Sequence, residues 1–147
     1  MYTLVYSINE EKNPKTVYVA DFIGESNIFK GIVIKMNDKT AIVKLETGEE
    51  VKVNNKNLKD NDKINIIIRP EDLKLSLKKS RNNCLEVKVK EHIYDGAITK
   101  VIVKFDKHAD LKITMPSSDD IIPKGETAYL NWNINSAIIL GENYEER

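Results

Sequence analysis

A chain of 147 residues, 41% of them hydrophobic, is long enough for one compact core or for two small lobes, and too apolar to stay disordered. Its 23 Lys and Arg balance 23 Asp and Glu, for a formal net charge of zero. That balance argues against a dedicated binder of nucleic acid or anionic membrane, because phosphate affinity draws on surplus basic residues.

The start, MYTLVYSINEE, lacks the basic region and long apolar run of a signal peptide. Asn13 followed by Pro14 then predicts a helix over residues 13–24, with Asn as N-cap and Pro at the first helical position. Tyr18 and Phe22, and Val19 and Ile23, make an i,i+4 stripe, and Gly24 supplies a left-handed cap. A helix this short does not persist alone in water. Phe22 and Ile23 are therefore expected to be buried against β residues.

After Gly31 the period becomes two. IVIKM, AIVKLE, EVKVN and KINIIIRP read as strands, the last closed by Pro70, which has no N–H for a ladder. LEVKVKEHI, ITKVIVKFD, DLKITM, ETAYLNWNI and SAIIL continue the pattern, with Trp132 placed in a strand as a core or lobe-interface residue. NNKNLKDND and PSSDDIIPKGE read as loops. The longest aliphatic cluster, Ile64 to Ile68, is interrupted by Asn65 and is too short to span a bilayer. The finely alternating charges, as in EVKVKEH and GEEVKV, read as solvated strand faces.

An internal repeat runs through these strands. VKLETGEEVKV (Val43 to Val53) matches VKFDKHADLKI (Val103 to Ile113) at an offset of sixty, and DKINIIIRPEDLKL overlays ETAYLNWNINSAIIL at a slightly different one. The fold expected is mainly β, a duplicated OB-like barrel of the MOP type with two repeats, about residues 31–76 and 84–140, behind a short N-terminal helix.

Little here suggests catalysis. The six glycines contain no P-loop pattern, and neither G-x-S-x-G nor H-E-x-x-H occurs. His92 and His108 stand sixteen residues apart with the lone Cys84 upstream, unlike the tight ligand pairs of zinc sites, and read as surface or turn residues. Cys84 cannot form an internal disulfide, which fits a reducing compartment. Ser117 to Asp120 lacks the spacing of a calcium loop. Tyr94, Phe105, Tyr129 and Trp132 are candidates for a nucleic-acid stacking platform, but the positive groove such a platform needs is missing from the composition.

NPKTVYVADFIGESNIFKG, IIIRPEDLKL and LNWNINSAIILGE together resemble the C-terminal part of the ATP-binding subunits of ABC importers. In that family a helix leaving the ATPase domain leads into a transport-associated OB domain marked by an R-P-E strand end. Here the motifs fall on Phe22, Ile23 and Gly24, on Arg69, Pro70 and Glu71, and on Asn131 and Trp132. The pattern from Asn131 to Leu140 most resembles the spermidine/putrescine branch. The resemblance implies a connecting helix at 13–24 and a β domain at 25–147, while residues 1–12 do not follow the family.

The ATPase domain is absent from these residues, so the chain is expected to be a C-terminal fragment without enzymatic activity. ATP and Mg²⁺ belong to the parent subunit, and no cofactor is expected here. The implied role is a dimerising, substrate-sensing regulator of a polyamine importer. Its implied partners are a second copy, the parent ATPase domain and the membrane permease subunits, at the cytoplasmic face and without insertion into the membrane. A polycation would need carboxylates, and the candidates are Glu71, Asp72, Asp119 and Asp120. The rival reading is a stand-alone small-ligand or oxyanion-binding module using Ser76, Lys78 and Ser80.

Overall fold

The computed structural model of the chain describes residues 26–81 and 83–141. The expected helix at 13–24, with Phe22, Ile23 and Gly24, lies outside the described residues, as do residues 1–12. The regular elements are almost all strands: β1 (Asn27–Met36), β2 (Thr40–Leu45), β3 (Glu50–Asn54), β4 (Lys63–Ile68), β5 (Lys74–Ser76), β6 (Cys84–Asp95), β7 (Ile98–Lys104), β8 (Leu111–Pro116), β9 (Thr127–Asn131) and β10 (Ile138–Gly141). Two 3-10 turns, Pro70–Asp72 and Ile134–Ser136, precede β5 and β10.

The chain folds into two compact units. Unit 1 runs to Ile68 and resumes at Ile134, and unit 2 is Arg69–Asn133. Each holds one antiparallel five-stranded sheet, ordered β10-β4-β1-β2-β3 in unit 1 and β5-β9-β6-β7-β8 in unit 2. Alternating side chains face inward along the strands, so Phe29, Val33, Val43 and Val51 are buried in unit 1. Leu85, Val89, Val103 and Leu111 are buried in unit 2.

The two sheets repeat one another in register. Val33 pairs Val43 and Val43 pairs Val51; Val89 pairs Val103 and Val103 pairs Leu111. The long first strand of each carries a bulge at the same place, between Val33 and Lys35 and between Val89 and Glu91. Behind the bulge the Val33 N–H donates to the Asp62 carbonyl and the Val89 N–H to the Glu126 carbonyl, both at 2.9 Å. Even the left-handed residue before those carbonyls recurs, Asn61 with φ 69° and Gly125 with φ 88°.

The sequence repeats and the compact units have different boundaries. β5 follows β4 in the chain but pairs with β9, and β10 follows β9 but pairs with β4. Each sheet thus takes its fifth strand from the other repeat. Leu75 lies opposite Leu130 as Ile139 lies opposite Ile66, so the two exchanged strands occupy matching places.

Three strand expectations are corrected. β1 starts at Asn27, before Gly31, because Asn27 to Lys30 pair with Ile68 to Asn65 of β4. β5 has only three residues, too few for a period to emerge from the sequence. Trp132 lies just past the end of β9, where the chain leaves the ladder, although its ring is buried as a core residue would be.

Candidate functional site

The outer strands of unit 2, β5 and β8, are not paired with each other. The turn Pro70–Asp72 packs against β8 across this seam. Pro70 suits the position, since its ring presets the backbone and the first N–H of the turn needs no partner. The Asp72 N–H donates to the Arg69 carbonyl at 3.0 Å, which fixes the turn locally. Arg69, Pro70 and Glu71 therefore mark the entry to the seam, Arg69 and Glu71 exposed and Asp72 half-buried.

Beside the turn is a cleft of about 110 Å³. Leu73 and Leu75 line one side, and Val101, Ile113 and Met115 continue the apolar floor. The loop after β8 brings Asp119, Asp120 and Ile122 to the rim, and Lys74 is the one basic residue in the lining. The loop is held to β6 by His92, whose Nε2–H donates to the Ile122 carbonyl at 2.8 Å. At the base of the same hairpins Thr99 is buried, with its hydroxyl 2.9 Å from that of Ser117. The carboxylates of Asp119 and Asp120 are exposed and have no partner among the described residues.

Of the four carboxylates singled out in the sequence, Asp119 and Asp120 thus line one cleft, and Glu71 and Asp72 sit on the turn that packs on its β8 wall. The apolar half was not found from sequence, because Leu73 and Leu75 reach the seam only through β5. Asn131 ends β9, opposite both Cys84 and Lys74. The other candidates do not converge on a site. The Ser76 hydroxyl accepts the Lys78 N–H at 3.1 Å, Lys78 is exposed, and the Ser80 hydroxyl is buried without a hydrogen bond. Of the four aromatics, Phe105 and Trp132 are buried, Tyr129 is half-buried and only Tyr94 is exposed, so they form no common stacking platform. His108 sits in a turn with its ring near Phe105. No group of three metal-ligating side chains occurs, and no helix is long and apolar enough to cross a membrane, among the described residues.

Two five-stranded antiparallel sheets, each with a bulged long strand, define the class as a duplicated OB-like protein. The same architecture is seen in the cytoplasmic molybdate-binding protein ModG, solved with molybdate bound, at a TM-score of 0.69 and 14% identity over 78% of this chain and 95% of that one. The TOBE domain family model matches residues 66–140, and the chain belongs to that family. Among curated proteins it is 35% identical over 136 residues to the spermidine/putrescine import ATP-binding protein PotA of Fusobacterium nucleatum. It is 29% and 28% identical to the proteins of that name from Trichodesmium erythraeum and Thermotoga maritima, each over 139 residues. The matches cover 82–88% of this chain but only 36–38% of those relatives, so the chain spans little more than a third of their length. These residues carry the TOBE domain and no nucleotide-hydrolysing domain.

Proposed function

We propose that the chain is the regulatory and dimerisation domain of the ATP-binding subunit of a polyamine importer of the spermidine/putrescine type. The observation that carries this reading is the likeness, over 82% or more of the chain, to proteins that bear that name. In such a subunit ATP and Mg²⁺ are handled by the ATPase domain, and the permease subunits hold the assembly at the cytoplasmic face of the membrane. Pairing two copies through this domain keeps the ATPase domains at high effective concentration as they open and close. A ligand on the domain regulates that motion when it binds the two arrangements unequally.

The polyamine site in this reading is the cleft of unit 2. A polyamine is a chain of methylenes between ammonium groups, and the cleft offers an apolar floor with two unpaired carboxylates at its rim. Methylenes settle on Leu73, Leu75 and Ile113, and the ammonium groups reach Asp119 and Asp120. Lys74 opposes binding. Calorimetry with spermidine tests this: saturable heat is expected, about tenfold weaker affinity in Asp119→Asn/Asp120→Asn, and tighter binding in Lys74→Gln. Absence of saturable heat at millimolar spermidine would sink the sensing role. Light scattering tests pairing separately, and a strict monomer at high concentration counts against it.

A further inference from the structure

Unit 1 has its own open groove, of about 320 Å³, on the outer face of its sheet where β1 passes between β2 and β4. Its volume lies within the range of small-molecule sites. Pairing builds it from residues far apart in the chain. Ile32 lies between Lys44 on β2 and Lys63 on β4, and Lys30 lies opposite Asn65 while its carbonyl accepts the Glu46 N–H. Three ammonium groups therefore rim an apolar floor centred on Ile32, with Glu46 the one acid in the lining.

Two observations separate this groove from an ordinary solvated face. Lys30, Lys44 and Lys63 have no carboxylate partner among the described residues, unlike Lys90, which is paired with Asp110. Asn65 is only 4% exposed, lines the groove, and its amide has no hydrogen-bond partner among the described residues. The amide is open to the groove, where a ligand oxygen can reach it.

Unit 2 supplies the control. The register-equivalent residues there are Glu86 for Lys30, Lys104 for Lys44, Thr127 for Lys63 and Tyr129 for Asn65. Their charges are mixed, as solvated strand faces usually are. The fold therefore does not demand three cations and an amide at this place.

We propose that the unit 1 groove binds the phosphate group of a small phosphorylated molecule. Lys30, Lys44 and Lys63 surround the dianion, the Asn65 amide donates to one of its oxygens, and the attached carbon skeleton rests on Ile32. Lysine suits this task, since its ammonium is a mobile point charge for phosphate. The proposal is independent of the polyamine reading, which concerns the other unit.

The test is ¹⁵N-resolved NMR of the whole chain, titrated with inorganic phosphate and with AMP at constant ionic strength. Saturable shifts confined to β1, β2 and β4 around Lys30, Lys44, Lys63 and Asn65 are expected. Larger effects with AMP assign a phosphate ester, and equal effects assign free phosphate. Lys30→Gln/Lys63→Gln should weaken binding by about tenfold or more, while Lys88→Gln/Lys104→Gln in unit 2 leaves it unchanged. All four lysines are exposed, so the variants keep the fold. Shifts spread evenly over the lysines of both units, or no saturable shift with either anion, would overturn the proposal.

Discussion

Unit 1 and unit 2 meet the same structural demand with different chemistry. Each sheet has two outer strands that do not pair, and in each a 3-10 turn packs on one of them, Ile134–Ser136 on β3 and Pro70–Asp72 on β8. In unit 1 the Asn54 Nδ2 donates to the Asn135 Oδ1 at 2.9 Å, a clasp from the edge strand to the turn. At the same register unit 2 has Thr114 and Glu71, so the clasp is missing, and the cleft with Asp119 and Asp120 lies at this seam. On the outer face the contrast reverses, and it is unit 1 that carries a groove. Apolar positions repeat the fold, whereas polar substitutions at the seam and on the outer face make the two units chemically different.

The strongest way to break the comparison is at Gly31, whose counterpart in unit 2 is Val87. A Cβ at Gly31 would stand 2.5 Å from Val43 Cγ1 and 2.7 Å from the Lys44 carbonyl oxygen, a backbone atom that cannot step aside. The β1–β2 ladder reaches one pair further here, to Gly31 with Leu45, than the β6–β7 ladder, which stops at Lys88 with Lys104. Gly31→Val should therefore cost about 3 kcal/mol, the upper end for overpacking, read as a lower urea midpoint. An unchanged midpoint would show that β1 has the slack of β6, and that the two units are closer than their registers imply.

A smaller effect is expected when the clasp is moved. Asn54→Ala should cost about 1 kcal/mol, the usual net worth of one hydrogen bond. Thr114→Asn with Glu71→Asn should install the clasp in unit 2, raise stability by a similar amount, and weaken spermidine binding by narrowing the cleft. Stronger spermidine binding in that variant would mean that an open seam is not what admits the ligand.

How much of this was legible in the sequence follows from which forces are local. The alternation of Val, Ile and Lys marks β2, β3, β7 and β8 because each strand buries one face. The offset of sixty between VKLETGEEVKV and VKFDKHADLKI corresponds to real register, Val43 with Val51 against Val103 with Leu111. The exchange of β5 and β10 was not legible. Two sheets with matching apolar positions offer either fifth strand an equivalent place, and three-residue β5 carries no period of its own. Asp119 and Asp120 could be named from their loop, but their apolar floor needed β5 in place. The lysine groove was hidden for a different reason. Lys30, Lys44 and Lys63 are isolated in the chain, each within an alternating strand, and only cross-strand pairing gathers them.

The smallest effect expected lies at the bulge. In unit 2 the bulge residue Lys90 forms an ion pair with Asp110, Nζ to Oδ2 at 2.6 Å, just before β8 begins. At the same places unit 1 has Ile34, which is 43% exposed, and Glu50. The hydrogen bond from Lys90 to Asp110, reinforced by the carboxylate charge, raises the lysine pKa above its ordinary 10.5. A raised lysine pKa stabilises the fold fully below the unfolded value, and that stabilisation is lost as pH rises through the folded one. The pair is largely exposed, at 56% and 37%, so salt screens it and little of its Coulomb energy survives as stability. Lys90→Met should therefore lower the urea midpoint slightly at pH 7 and low salt. The difference should disappear at high salt, and again above the ordinary lysine range. Ile34→Lys sharpens the point, because Glu50 is already in place to receive the ammonium. If that variant gains the same salt-dependent stability, the two bulges are interchangeable scaffolds and only their side chains differ. If it gains none, the bulge of unit 1 points its residue away from β3, and the likeness of the two sheets ends at the backbone.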